Sequence, residues 1–551
     1  MSSHAADVQT ALHTLRAGAQ NLFSHLPGER PSWVVVELAG HVTPRTERPR
    51  FFGLPIAVPG QRRALSLEEL TETLDALGRA PWVQGVLFRV EGLRADPATA
   101  YALRRRIAAL REAGKKTVAY LTQLDGTGYY VASAAAELVA PESAEIGLRG
   151  LGLSITFMRD ALARAGIRFE KLAIDEYKNA FDNLVRQEMS AAQREQLEVL
   201  LERFEAHTHA EIGASRGLTR EAVRALIDEG ITSASRARDA GLLDRLAYED
   251  EIVGTGHRPL AEARRFLGAR APALRGKRVA VVSLSGGIMT GHSRRFPVPI
   301  PPLGGHTAGS ETLVASLRTA ADDHATAAIV LFVDSGGGSA LASDLIWREV
   351  RRIRDRKPVV AVMGAVAASG GYYVLTHATR VIAAPTTITG SIGVLTGKLV
   401  LEDLFARWGF NAEQIQRGRY ALLLDPARSL GDDERALLRR SNEEIYDRFV
   451  SRVADGRGLS TARVNELGRG RIWAGTDALA NGLVDELGDL GTGIARAKEL
   501  AGLGLDAPVW DVPAAEELVL PGGDAEALVA ALAPIVRETS WLVLPASLRL
   551  S

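Results

Sequence analysis

The chain has 551 residues, 46% of them apolar and 24% charged, an ordinary globular composition spread over a length that requires at least two cores. Lysine plus arginine balances aspartate plus glutamate at 66 each, so the basic surplus that nucleic-acid binding leaves is missing and no nucleic-acid partner is expected. No cysteine is present, which excludes disulfides, thiolate metal sites and a cysteine nucleophile together, and fits a reducing compartment.

Residues 1–30 read as a helical segment. Val8, Ala11, Leu12, Leu15, Leu22 and Phe23 form an apolar stripe suited to docking on the body of the protein or to lying on a membrane surface. The segment lacks the basic flank and unbroken apolar core of a secretory signal, and no run of about 20 apolar residues marks a membrane span. A cytoplasmic or peripherally membrane-bound protein is the expectation. A first unit, residues 31–255, opens with a strand at Val34–Leu38, a helix over Leu67–Leu77 and a buried strand at Gly85–Val90. A second helix, a strand at Thr117–Leu121, a turn and a further helix follow. Ser190 and Gln193 make a capping-box pattern heading a helix whose Leu197, Leu200, Leu201 and Phe204 share one face. Gly254–Lys277 reads as a linker. From 275 to 500 the succession returns, with strands at Val279–Leu284, Ile329–Val333 and Val359–Met363 and a helix at Glu311–Ala321. Strands alternating with helices at this spacing imply βαβ crossovers and a mainly parallel sheet covered by helices, an α/β fold with helical extensions. Residues 501–551, rich in Ala, Leu and Pro, form a tail without a counterpart in the first unit.

The two units are copies. Gly85–Val90 aligns with Ala328–Val333, Tyr129-Tyr130-Val131 with Tyr372-Tyr373-Val374, Arg216-Gly217-Leu218 with Arg457-Gly458-Leu459, and Gly241–Leu246 with Gly482–Leu487. The offset stays between 241 and 243 throughout, in one order along the chain. A period this long means two domains of one fold rather than a solenoid.

Ala367-Ala368-Ser369-Gly370-Gly371 lies between an apolar strand and a helix-like run. A serine so placed has an uncrowded hydroxyl, and adjacent N–H groups can face a developing oxyanion. The same residues also fit a small-residue turn with Ser369 as an N-cap. A second Gly-rich turn, Asp334–Ser339, follows the preceding strand and could supply another oxyanion donor. It lacks the Lys-Ser/Thr ending of a phosphate loop. The repeat sharpens the first reading. Ser369 aligns with Gly126, whereas Lys178 aligns with Ala421 while its neighbour Tyr177 keeps Tyr420 as partner. Each copy thus holds the residue the other lacks, which points to one composite site. His377 stands about 12 Å from Ser369 in a continuing helix, out of hydrogen-bond reach, and the other histidines form no triad with it. A neutral lysine can serve as base if its pKa falls from roughly 10.4 to near the working pH, about 3–4 kcal/mol of differential stabilisation. Desolvation in a cleft between two domains supplies such a shift.

Ala-Ser369-Gly-Gly-Tyr-Tyr, Gly390-Ser391-Ile392-Gly393, Glu176-Tyr177-Lys178 with Met189-Ser190 downstream, and Ile472-Trp473-Ala474-Gly475 with Gly482–Asp485 together resemble the signal peptide peptidase A family in its long, tandem-domain form. That family shares its fold with Clp protease and crotonase. The resemblance spans about Trp33 to Leu490. It implies two tandem Clp protease/crotonase-like domains and a serine peptidase without cofactor or metal. Ser369 would attack the peptide carbonyl and Lys178 would take and return the proton. Ser391 would hold the lysine, and the N–H groups of Gly337 and Gly370 would stabilise the oxyanion. It further implies a ring-like or dome-like homo-oligomer, a tetramer in the long form, that degrades cleaved signal peptides and other short or unfolded chains at the membrane. Clp-type enzymes carry a catalytic histidine where this chain reads Ser391-Ile392-Gly393-Val394. Two features depart from the family: Gly336 replaces a proline in the Asn-Ser-Pro-Gly-Gly loop, and the usual N-terminal anchor is not seen. The competing expectations are a crotonase-like acyl-CoA enzyme, which needs no serine, and a non-catalytic scaffold.

Overall fold

Aliphatic runs become the strands of two mainly parallel sheets, the second of which also carries the antiparallel pair Ile388–Gly390 and Ile472–Ala474. The computed structural model describes residues 29–45, 50–51, 54–55, 65–253, 257–268, 276–296, 305–513, 517–519 and 541–543, and the apolar stripe at 8–23 lies outside them. The first copy contributes β1 (Trp33–Thr43), β2 (Gly85–Arg94), β3 (Lys116–Leu121), β4 (Glu137–Ala140), β5 (Arg245–Leu246) and β6 (His257–Pro259). The second contributes β7 (Arg278–Ser285), β8 (Thr326–Ser335), β9 (Val359–Ala368), β10 (Arg380–Ala383), β11 (Glu486–Leu487) and β12 (Val509–Asp511). The first sheet runs β5-β4-β3-β2-β1-β6, all parallel; the second repeats that order as β11-β10-β9-β8-β7-β12. The duplication is therefore one of topology as well as of sequence.

The order corrects two expectations. The stretch read as a linker contains β6, which extends the first sheet beyond β1, and the tail contains β12, which does the same for the second. Val509–Asp511 of the tail thus has a counterpart in the first copy. Edge strands of three residues are too short to show an alternating pattern, and His257-Arg258-Pro259 and Val509-Trp510-Asp511 share no residue type, although Trp510 is buried in the second core.

Local chemistry explains the helices. Ser66 caps the helix Leu67–Arg79 by accepting from the Glu69 N–H, and Leu70, Leu74 and Leu77 recur on its buried face. Ser190 caps Ala191–Arg216 through the Gln193 N–H, and Gly217, in the left-handed region at φ 67°, ends it. The reciprocal arm of the expected capping box is not made, since Gln193 Oε1 is buried without a partner.

Each copy has its own core, around Val36, Phe88 and Ile107 in the first and Leu331, Ile346 and Trp347 in the second. What joins them near the site is a smaller cluster. Leu197, Leu200 and Phe204 of the long first-copy helix bury against Ile388, Ile472 and Ala474 of the second copy. Each buried Leu, Ile or Phe side chain contributes about 1.5–3 kcal/mol, enough to hold one copy's loops against the other's strands. A third sheet also crosses between copies, because Arg168–Ala173 pairs antiparallel with Leu395–Val400. Among the described residues no helix is long and apolar enough to cross a membrane.

Candidate active site

The strand β9 ends at Ala368 and the chain turns sharply at Ser369, whose φ of 55° and ψ of −116° are unusual for a residue with a side chain. Such a conformation costs on the order of 1–3 kcal/mol and persists only where the surroundings enforce it. Here Ser369 N–H donates to the Gly390 carbonyl at 2.8 Å, and the Ser369 carbonyl accepts from Tyr373 N–H at 2.8 Å. The serine occupies the N-cap position of the short helix Gly370–Tyr373 but makes no side-chain cap hydrogen bond. The capping alternative is thereby removed, and the hydroxyl points elsewhere. Glycine is required next to it because the Gly-rich loop packs against this turn. A Cβ on Gly370 would stand 2.6 Å from Ser343 Oγ, and one on Gly371 would stand 2.4 Å from the Ser335 carbonyl oxygen. In the first copy Gly126 holds the equivalent position, and Asp125 caps an ordinary helix there.

Lys178 Nζ lies 2.7 Å from Ser369 Oγ, 3.0 Å from Ser391 Oγ and 3.0 Å from the Ser391 carbonyl oxygen, and the side chain is fully buried. Its three neighbours are neutral. Burial holds the ammonium pKa well below the usual lysine range, and the nearby Lys171 charge lowers it further. A neutral amine has two N–H donors and one lone pair. The Ser391 oxygens accept the former, and the lone pair remains for the Ser369 hydroxyl to donate to. Ser391 itself sits at φ 50°, held by its N–H to the Arg471 carbonyl at 2.7 Å.

The lysine is delivered by a network that sequence alone does not reveal. Lys171 forms a buried ion pair with Asp182 and donates to the Lys178 carbonyl at 2.6 Å. Asn179 donates to the same Asp182 carboxylate at 2.9 Å, and Gln196 donates to Asn179 while accepting from the Ile472 N–H at 3.2 Å. Outside the pocket Asp175 pairs with Arg469, and Arg471 lies 4.0 Å over the Tyr177 ring. Gly470, at φ 88°, runs directly under the lysine: a Cβ there would stand 2.5 Å from the Lys178 nitrogen and 2.6 Å from its Cα. Nothing in the spacing of these residues marks them, since they act through backbone contact, buried polar pairs within the first copy and further pairs across the copies.

Of the residues singled out from sequence, Ser369, Lys178 and Ser391 meet at one point, and Gly370 begins the short helix where its N–H has no carbonyl one turn back. The Gly337 N–H donates to Ser335 Oγ at 3.1 Å, and the Gly337 Cα and the Gly338 nitrogen would each be 3.2 Å from a Cβ on Gly370. The Gly-rich loop thus packs directly on the serine turn. His377 is occupied as a structural residue, accepting from Trp347 Nε1 at 2.9 Å and meeting Asp455 at 2.9 Å. Asp334, which heads the loop, has its carboxyl pushed up to about 6 by burial, with Asp96 of the first copy adding repulsion.

The family model described as Peptidase family S49 matches the chain twice, at residues 109–262 and 351–504. The chain is 32% identical to "Serine protease SPPA, chloroplastic" of Arabidopsis thaliana, over 81% of this chain and 67% of that one. It is 30% identical to "Protease 4" of Salmonella typhi, over 71% of this chain and 65% of that one. With "Protease 4" of Haemophilus influenzae it shares 28% identity over 74% of this chain and 68% of that one. The matched region thus spans about two thirds of the length of these relatives.

Proposed function

Because this chain belongs to peptidase family S49, and is by that membership a serine-type peptidase, we propose that it is an endopeptidase working through a Ser369–Lys178 dyad shared between its two copies. The observation that carries this reading is the buried amine 2.7 Å from a strained serine hydroxyl with no charged partner of its own. Ser369 Oγ attacks the scissile carbonyl as its proton passes to neutral Lys178. The ammonium, held by Ser391, returns that proton to the leaving amine, and water then repeats the exchange on the ester. The oxyanion is set against the Gly370 N–H, with the second donor from Gly338 rather than Gly337, whose N–H is taken. A crotonase-like chemistry or a bare scaffold would leave this contact without a task. Short or unfolded peptides, cleaved signal peptides among them, are the substrates of this reading. A homotetramer and peripheral contact with a membrane complete it.

A fluorophosphonate probe tests the dyad. Labelling is expected at Ser369, with loss of labelling in Ser369→Ala and in Lys178→Met; equal labelling of Lys178→Met would refute the role given to the lysine. The pH profile provides a second test. Activity requires the neutral amine, so it rises with pH through the Lys178 pKa, and the lowered pKa sets that rise below the ordinary lysine range. In Lys171→Met a neighbouring positive charge disappears and Asp182 loses its ion-pair partner. Both changes favour the ammonium, so the rise moves to higher pH. An unmoved limb would show that Lys171 does not bear on the dyad.

A further inference from the structure

The first copy reaches the second through an arm: the strand Arg168–Ala173, the loop that carries Lys178 and the helix Ala191–Arg216. The arm strand pairs antiparallel with Leu395–Val400. Ion pairs also cross the contact, Glu170 with Arg435 at 2.8 Å, Glu176 with Arg469 at 3.9 Å and Arg203 with Asp477 at 2.9 Å. The repeat offset carries the arm strand onto residues 411–416 and its partner strand onto residues 152–157. Among the described residues neither stretch belongs to a sheet, and nothing pairs the one with the other. Residues 406–419 are exposed without exception, Trp408 at 74% and Ile415 at 93%. Leu151 and Met158, which border the second stretch, are exposed as well. Apolar surface bared on this scale marks a contact.

Charge tells the two contacts apart. Carried over by the offset, Glu170 and Arg435 become Glu413 and Arg194, a pair of unchanged polarity. Glu176 and Arg469 become Arg419 and Asp228, and Arg203 and Asp477 become Glu444 and Arg236, so that both of these pairs are inverted. The four residues are exposed; Arg419 pairs with Asp433, Asp228 with Arg224 and Arg236 with Glu229, each inside its own copy. An arm brought to the wrong face would set like charges together. The second-copy arm would place Arg419 against Arg469 and Glu444 against Asp477. The first-copy arm would place Glu176 against Asp228 and Arg203 against Arg236. Like charges at a contact reject a partner, and this is how similar interfaces are kept distinct.

Resting on the self-association proposed above but not on the dyad, we infer that residues 406–419 dock on the first copy of a second chain and that inverted charge directs them there. Residues 411–416 lie antiparallel along residues 152–157 of the partner subunit. Arg419 meets Asp228 of the partner subunit, and Glu444 meets Arg236 of the partner subunit. Such a contact is heterologous, leading from one chain to the next. The same signs keep this arm, which has Ala421 where the other has Lys178, off the face that holds Ser369. Of the two arms, the one with the lysine alone suits the serine.

Sedimentation velocity of the full chain over a wide range of concentration, with hydrolysis of a fluorogenic peptide measured alongside, tests this. The wild-type chain is expected to self-associate. Arg419→Glu and Asp228→Arg each set like charges together and are expected to weaken association by about tenfold or more. The double variant, with opposite charges facing again, is expected to regain it. A disturbance confined to the Arg419–Asp433 pair would not be repaired from Asp228. Single variants that associate like the wild type, or a double variant as weak as either single, overturn the inference while self-association stands. A wild-type chain that stays single at every concentration removes both, and hydrolysis by that chain leaves the dyad intact. An assembly that follows the charge cycle but cuts nothing refutes the dyad and upholds the inference.

Discussion

Lys178→Met is expected to lower kcat/KM for peptide hydrolysis by about 10⁴–10⁶-fold, the range found when a residue of a nucleophile–base unit is removed. Methionine nearly matches the lysine stem in length and suits a buried pocket, so the packing survives while the proton acceptor is lost. The Ser391 carbonyl and hydroxyl oxygens lose the N–H groups they accept, a cost of about 1–3 kcal/mol. Against that, a buried amine that the fold holds neutral below its ordinary pKa is a standing liability, and removing it offsets part of the loss. The melting temperature should therefore move little compared with the activity. Ser369→Ala should cost about as much as Lys178→Met, and the double variant little more, because nucleophile and base act as one unit. Steady-state kinetics on the two single variants and the double, alongside thermal denaturation, check this. Retention of more than about a hundredth of the activity in Lys178→Met would be incompatible with lysine as the base.

Gly470→Ala is expected to lower kcat by about 10²-fold with KM little changed. The new Cβ would meet the Lys178 backbone at 2.5 Å, and backbone, unlike a flexible side chain, cannot rotate away. Relief requires Lys178 to shift by nearly an ångström, and a misplacement of about 1 Å costs on the order of 10²-fold in rate. The positive φ of 88° adds about 1–2 kcal/mol of strain to the folded state. Gly458→Ala separates the two effects. Gly458 also has a positive φ, 65°, but nothing lies within 4 Å of its would-be Cβ. It should lose stability and keep its turnover number. Equal kinetics for the two variants would mean that Gly470 contributes backbone freedom alone and does not hold the lysine in place.

Much of this architecture was legible in the chain. The repeat offset, the long strands and the capped helices follow from hydrophobic period and cap residues, which are local signals. The pairing of Ser369 with Lys178 was legible for a different reason: two copies of one fold had each kept what the other lacked, at positions fixed by the offset. What escaped the sequence pairs through backbone or across the copies. The edge strands β6 and β12 are three residues long and carry no alternation. The Lys171–Asp182 pair and Gly470 reach Lys178 from strand and loop positions that resemble any other surface charge or turn glycine until the fold is closed. The Ser335 hydroxyl accepts from the Gly337 N–H inside its own loop, a competition between side chain and backbone that spacing does not reveal.

The separation of 191 positions from Lys178 to Ser369 also has a meaning in time. A ribosome adding about 5–20 residues per second takes roughly 10–40 s to travel that far. On the proposed Ser369–Lys178 dyad, the emerging polypeptide holds its base throughout this interval with no hydroxyl to activate. Translation products that stop short of Ser369 are then expected to be inert, a result that peptide hydrolysis by a chain truncated before Ser369 would check.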